Sequence, residues 1–216
     1  MSCAICEERK DKRFCPAVHG RICPQCCGEQ REIVLDCPSH CPYLRQAYEH
    51  ERPRSLDELD QAVLFPGVAI DSLFLRDYEP LILGLTYSVA KKASENLAMR
   101  DADLIAVLTT LAKNYETLAN SGLHYELPIT SLAGQAIASH IQKSIKGYRE
   151  AERNNLGYVR LRDREVFTAL VFLVRLAWRH TSGRPKSRAF VDFLLRQFPA
   201  QAARGGQEET GRLIVP

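Results

Sequence analysis

The sequence predicts a mainly α-helical protein: a small cross-braced double-zinc module at the N-terminus, followed by a bundle of five or six helices. Three observations carry this expectation. All eight cysteines (Cys3, Cys6, Cys15, Cys23, Cys26, Cys27, Cys37 and Cys41) fall within the first 41 of 216 residues, and none occurs from residue 42 onward. From Tyr43 apolar residues recur every three or four positions, the period of a helix that buries one face. With 45% apolar and 25% charged residues the composition is that of an ordinary globular chain, which speaks against a collagenous, wholly disordered or membrane-embedded protein. The net charge of +3 is too mild to demand a nucleic-acid partner.

The N-terminal residues Met1 to Lys10 contain no apolar stretch of signal-peptide type, so a cytoplasmic, reducing location is expected. There, clustered cysteines serve as metal ligands more often than as disulfides. Cys3-x-x-Cys6 and Cys23-x-x-Cys26 share one spacing and are separated by residues 7 to 22, an interval suited to paired zinc knuckles. Four thiolates close a tetrahedral shell, which makes that site structural. Cys15, Cys27, Cys37 and Cys41 remain as a second set, interleaved with the first along the chain, with His19 and His40 as alternative ligands in place of Cys27 and Cys41. Long intervals between knuckles favour two structural zinc ions over the compact cysteine run of an iron–sulfur protein. Pro16, Pro24, Pro38 and Pro42 each follow a cysteine and are expected to stop helices and hold turns around the ions. Lys12, Arg21 and Arg31 would offset the negative charge of the thiolates.

The helical part continues in order. A short helix is expected over 44–51, ended by Pro53. Ser55 and Glu58 form a capping-box pattern that would start a helix running to Leu64, with Pro66-Gly67 behind it. A longer helix over 78–99 places Leu81, Leu85, Val89 and Ala93 on one face, with Pro80 tolerated in the first turn. Asp101 caps the next helix, Leu104, Leu108, Leu111, Tyr115 and Leu118 form its stripe, and Gly122 stops it. Thr130 or Ser131 opens a helix carrying Ile137, Ile141, Ile145 and Tyr148. Asp163 starts the most apolar helix, which is too short for a membrane span and carries Arg175 near its centre. The last helix is expected over 187–198 with Ser187 as its cap, before a Gly-, Gln- and Glu-rich tail at 201–216. Short strands are conceivable only at 158–161 and 213–215. The domain reading is therefore a zinc module at 1–48, a linker at 49–56, a helical domain at 57–200 and a flexible tail at 201–216.

The interleaved cysteine order resembles cross-braced double-zinc fingers of the RING, MYND and HIT kind, although the histidine those modules place in the middle or last pair is missing. The stretch Cys26-Cys27-Gly28-Glu29-Gln30-Arg31, followed by Cys37-Pro38-Ser39-His40-Cys41-Pro42-Tyr43, resembles the N-terminal segment of certain uncharacterised bacterial proteins, over about the first fifth of the chain. This resemblance implies a bacterial zinc module and no particular activity.

Charge is unevenly placed. Residues 55–154 carry a net −4, residues 155–216 a net +6 and residues 1–54 a net +1. Arg179, His180, Arg184, Lys186 and Arg188 crowd one interhelical loop, a candidate anion or nucleic-acid contact to which Arg160, Arg162 and Arg164 could add; the alternative is a solvated connection. No nucleophile elbow, phosphate loop, metalloprotease helix or dinucleotide fingerprint occurs, and His124, His140 and His180 stand apart from ligand-spaced partners. The expected role is a non-enzymatic zinc-binding adaptor with a protein partner and no small-molecule substrate. A nucleic-acid-binding regulator and a metal or redox sensor with one labile zinc are the alternatives.

Overall fold

The computed structural model describes residues 2–59, 61–124 and 126–199, and the tail expected at 201–216 lies outside them. The fold is mainly helical. Among the described residues two short strands, β1 (Arg13–Cys15) and β2 (Gly20–Ile22), pair antiparallel with Arg13 opposite Ile22 and Cys15 opposite Gly20. Eight α-helices come after them: α1 (Pro24–Gln30), α2 (Pro42–His50), α3 (Ser72–Asp77), α4 (Glu79–Glu95), α5 (Asp101–Ser121), α6 (Leu132–Leu156), α7 (Asp163–His180) and α8 (Ala189–Gln197).

Two of the cysteine-following prolines begin helices instead of stopping them. Pro24 and Pro42 are the first residues of α1 and α2, and Cys23 and Cys41 are the residues that precede them. Proline suits this position, because its fixed φ is helical and the N–H it lacks would have had no partner inside the helix. Cys23 completes the cap by accepting the Cys26 amide on its sulfur.

The segment expected to be a helix from Ser55 to Leu64 is two single 3₁₀ turns, Leu56–Glu58 and Gln61–Leu64. Ser55 does cap the first, accepting from the Asp57 amide. Arg175 then pins the chain between residues 64 and 68: its guanidinium donates to the carbonyls of Leu64, Phe65 and Val68 at 2.7–2.9 Å. A cation in the midst of an apolar helix is thus spent on backbone carbonyls that no regular element satisfies.

α4 ends at Glu95, short of the expected Met99: Asn96 takes an extended conformation, and its side-chain oxygen and carbonyl accept the Ala98 and Met99 amides at 3.0 and 3.2 Å. The Arg188 guanidinium binds the Leu97 and Met99 oxygens, each at 2.6 Å. α5 packs along α7, and α4 along α6, where Ser88 and Ser144 share a hydrogen bond of 2.6 Å. Between them lies a continuous core that includes Leu85, Leu104, Leu108, Ile141, Leu170 and Phe190. Residues 158–161 form no strand; the buried Glu152 carboxylate accepts the amides of Arg160 and Leu161 instead. No helix among the described residues is long and apolar enough to cross a membrane.

Candidate metal centre

The first cysteine set converges. The four Sγ atoms of Cys3, Cys6, Cys23 and Cys26 lie within 4.8 Å of one another. A tetrahedral zinc with Zn–S bonds of about 2.3 Å separates its sulfurs by about 3.8 Å, so the arrangement is close to a closed four-thiolate shell. Two knuckles build it. In the first, the Ser2–Lys10 bridge closes a loop in which the Glu7 and Glu8 amides donate to the Cys3 and Cys6 carbonyls at 2.8 and 2.7 Å, and Glu7 takes a φ of +57°. In the second, Cys23 caps α1 and Cys26 sits in its first turn. The Cys23 amide donates to the Cys3 sulfur at 3.2 Å, tying one knuckle to the other.

The thiols are not equivalent. Burial raises Cys3, but amides from Cys6, Cys23 and Ile5 together outweigh it and bring it down to about 6. Cys26 is pushed up to about 12, by burial first and then by the sulfurs of Cys23, Cys6 and Cys3. One thiolate is therefore welcome here and a full set is not, unless a cation shares the space. Arg9 supplies part of that charge, with its Nη1 atom 3.9 Å from both the Cys23 and Cys26 sulfurs. Sequence reasoning assigns this role to Lys12, Arg21 and Arg31 and misses Arg9. Arg21 instead pairs with Asp11 at 2.8 Å.

The second set is less gathered. Cys15 ends β1, Cys27 lies in α1, and Cys37 and Cys41 flank the Pro38–His40 turn, in which the Cys41 amide donates to the Pro38 carbonyl at 2.9 Å. Burial raises the Cys37 thiol to about 11; the Glu32 amide opposes this rise, and the charges of nearby Cys41 and Cys15 add to it. Among the described residues, only the first set brings three or more ligand atoms within 4.8 Å of one another. His19 and His40 are exposed and stand outside that group. None of the eight cysteines forms a disulfide.

The basic loop turns out to be a seam between the cysteine module and the helices. Glu32, 1% exposed and held at φ +55°, is its centre. Its carboxylate accepts from the Tyr48 hydroxyl, from Ser182 Oγ at 3.0 Å and from the Arg188 amide at 3.4 Å, with Arg184 Nη1 3.9 Å away. Its carbonyl accepts the Lys186 amide at 2.8 Å. The Lys186 ammonium binds the Val34 carbonyl, and Arg184 also approaches Glu51 at 3.6 Å. Three of the five cations proposed for an anion contact, Arg184, Lys186 and Arg188, are thus engaged internally. His180 stacks on Phe193, with ring centroids 3.8 Å apart, while Arg179 is exposed.

Ser187 caps α8 only in part. It accepts the Ala189 amide at 3.3 Å, but the decisive acceptor is Asp101, buried at the start of α5, which receives Ser187 Oγ at 2.7 Å and the Phe190 and Val191 amides at 3.1 Å. Asp101 therefore caps a helix remote in sequence, while Arg100 occupies the cap position of its own.

Comparison with family models, curated proteins and solved structures returns no match to this chain.

Proposed function

We propose that the segment 1–48 is a zinc module with two structural ions, one on Cys3, Cys6, Cys23 and Cys26 and one on Cys15, Cys27, Cys37 and Cys41. On this reading the protein is a non-enzymatic bacterial adaptor of the cytoplasm that acts through a protein partner. The observation that supports it is the surface of the module: Phe14, Ile33 and Val34 are 55%, 46% and 63% exposed on a segment too small to spare apolar side chains from its own core. Metal ions would supplement a small core around Ile22 and Leu35, which leaves these exposed side chains available for docking. The nucleic-acid alternative loses support because Arg184, Lys186 and Arg188 have partners within the chain.

The test places a photo-crosslinking residue at Val34 in cells and re-measures the captured partner with purified components. A partner that binds the wild type and is lost by an Ile33→Asp, Val34→Asp variant of unchanged zinc content supports the proposal. Equal binding by that variant overturns it. The unequal gathering of the two cysteine sets favours one further reading, a sensor with a labile second zinc. Peroxide titration should then release one zinc ahead of the other, and simultaneous release would argue for two structural ions.

A further inference from the structure

Beside the seam opens a cleft of about 300 Å³. Arg52 and Arg54, from the extended connection after α2, reach it together with Arg179 from the last turn of α7 and Arg196 from the last turn of α8. Among the described residues, none of these four guanidinium groups makes a hydrogen bond or a close ion pair, although Asp192, one turn back on α8, lies within electrostatic reach of Arg196; Arg184 and Arg188 in the adjoining seam both have partners within the chain. The one carboxylate on the wall, Glu51, already faces Arg184 at 3.6 Å.

The placement is built rather than incidental. The Arg54 amide donates to the Arg179 carbonyl at 3.1 Å, setting these two residues side by side. Gly183, at φ +73°, leaves room for the Arg54 guanidinium: a Cβ at that position would stand 2.7 Å from it. The stacked rings of His180 and Phe193 form a flat wall. The His180 imidazole is held below its ordinary pKa by burial and then by Arg179 and Arg196, as a cleft of positive potential requires.

We propose that this cleft binds a small phosphorylated ligand through its phosphate or diphosphate group. The guanidinium fork matches phosphate oxygens in pairs, and several such forks in a part-enclosed space favour a multiply charged anion over chloride or a single carboxylate. The volume lies at the lower limit of small-molecule sites, which run from roughly 300 to 1,000 Å³. This inference is independent of the adaptor reading, since no zinc ligand lines the cleft.

Isothermal titration calorimetry on the zinc-loaded full chain with inorganic pyrophosphate, ADP and a single-stranded 12-mer tests it. Micromolar affinity for pyrophosphate, weakening several-fold between 50 and 200 mM salt, is expected. Tighter binding of ADP would place its base on the His180–Phe193 wall, whereas equal affinity would mean recognition of the diphosphate alone. The Arg179→Gln, Arg196→Gln variant should lose at least tenfold; Arg52→Gln, a single exposed change, serves if the double variant fails to fold. Lys146→Gln, on the remote α6, should change nothing. No heat at millimolar pyrophosphate or ADP, undiminished affinity in the cleft variants, or binding of the 12-mer alone overturns the proposal.

Discussion

Glu32→Ala would remove the carboxylate on which the cysteine module and the helices are joined. The side chain is 1% exposed and receives the Tyr48 hydroxyl, Ser182 Oγ at 3.0 Å and, at the long limit of 3.4 Å, the Arg188 amide. Hydrogen bonds to a charged group contribute about 1.5–3 kcal/mol each, and the two hydroxyl bonds dominate here. Against them stands the cost of burying the carboxylate, visible as a pKa raised by desolvation. The expected net loss is about 2–4 kcal/mol. Glu32→Gln keeps an acceptor for Tyr48 and should cost about 1–2 kcal/mol. Because φ is +55°, where a Cβ is strained, Glu32→Gly should be about 1 kcal/mol more stable than Glu32→Ala despite its freer unfolded chain. Trp178, the only tryptophan and part of α7, reports the helical part by fluorescence during urea unfolding at fixed zinc. An alanine variant within about 1 kcal/mol of wild type, or one more stable than the glycine variant, refutes the reasoning.

Three further outcomes are expected. Arg9→Ala removes the guanidinium 3.9 Å from two thiolates, so apparent zinc affinity in competition with a chromogenic chelator should fall about tenfold; unchanged affinity would mean that the charge is idle. Asp101→Ala strands two buried amides and a hydroxyl and should cost about 3 kcal/mol, or about 6–12 °C in Tm for a chain of this size; a shift below about 2 °C would contradict the cross-helix cap. Asp192 is raised above its ordinary 3.8 chiefly by burial, with Ser39 donating at 2.7 Å in opposition. The folded state then holds this proton more tightly than the unfolded one, and wild type should lose stability relative to Asp192→Asn as pH climbs from about 3.8 through the raised native value. Parallel pH profiles for the two proteins would rule this out.

Much of this is legible in the sequence, for identifiable reasons. The first cysteine set can be read because two residues between thiols and a fixed interval are local rules, and the long helices because a 3.6-residue period needs no tertiary knowledge. Ser131 as a cap and Gly122 as a stop, at φ +68°, obey the same local logic. The illegible features depend on residues far apart in the chain. The acceptor that receives the amides of α8 sits 89 and 90 positions upstream, and the cleft gathers arginines from residue 52 to residue 196. α1 is hidden because proline after cysteine reads as a stop, whereas at the first helical position it starts a helix. α3 has a local cue that goes unused in the sequence reading: Asp71 accepts the Phe74 amide at 2.7 Å.

The position of Glu32 determines how metal and bundle depend on one another. Its backbone amide interacts with the Cys37 thiol, its carbonyl with the Lys186 amide, and its carboxylate with Tyr48 and Ser182, so a single left-handed residue touches the second cysteine set, α2 and the loop before α8. A left-handed glutamate persists only where its surroundings over-determine it. Those surroundings come from both halves: the Cys37 turn and Tyr48 from the cysteine segment, and Ser182, Lys186 and Arg188 from the loop before α8. The same loop continues through Thr181 and Ser182 into the wall of the arginine cleft. The segments 1–48 and 57–200, which the sequence separates as two domains, are therefore joined, among the described residues, by a buried polar contact centred on Glu32.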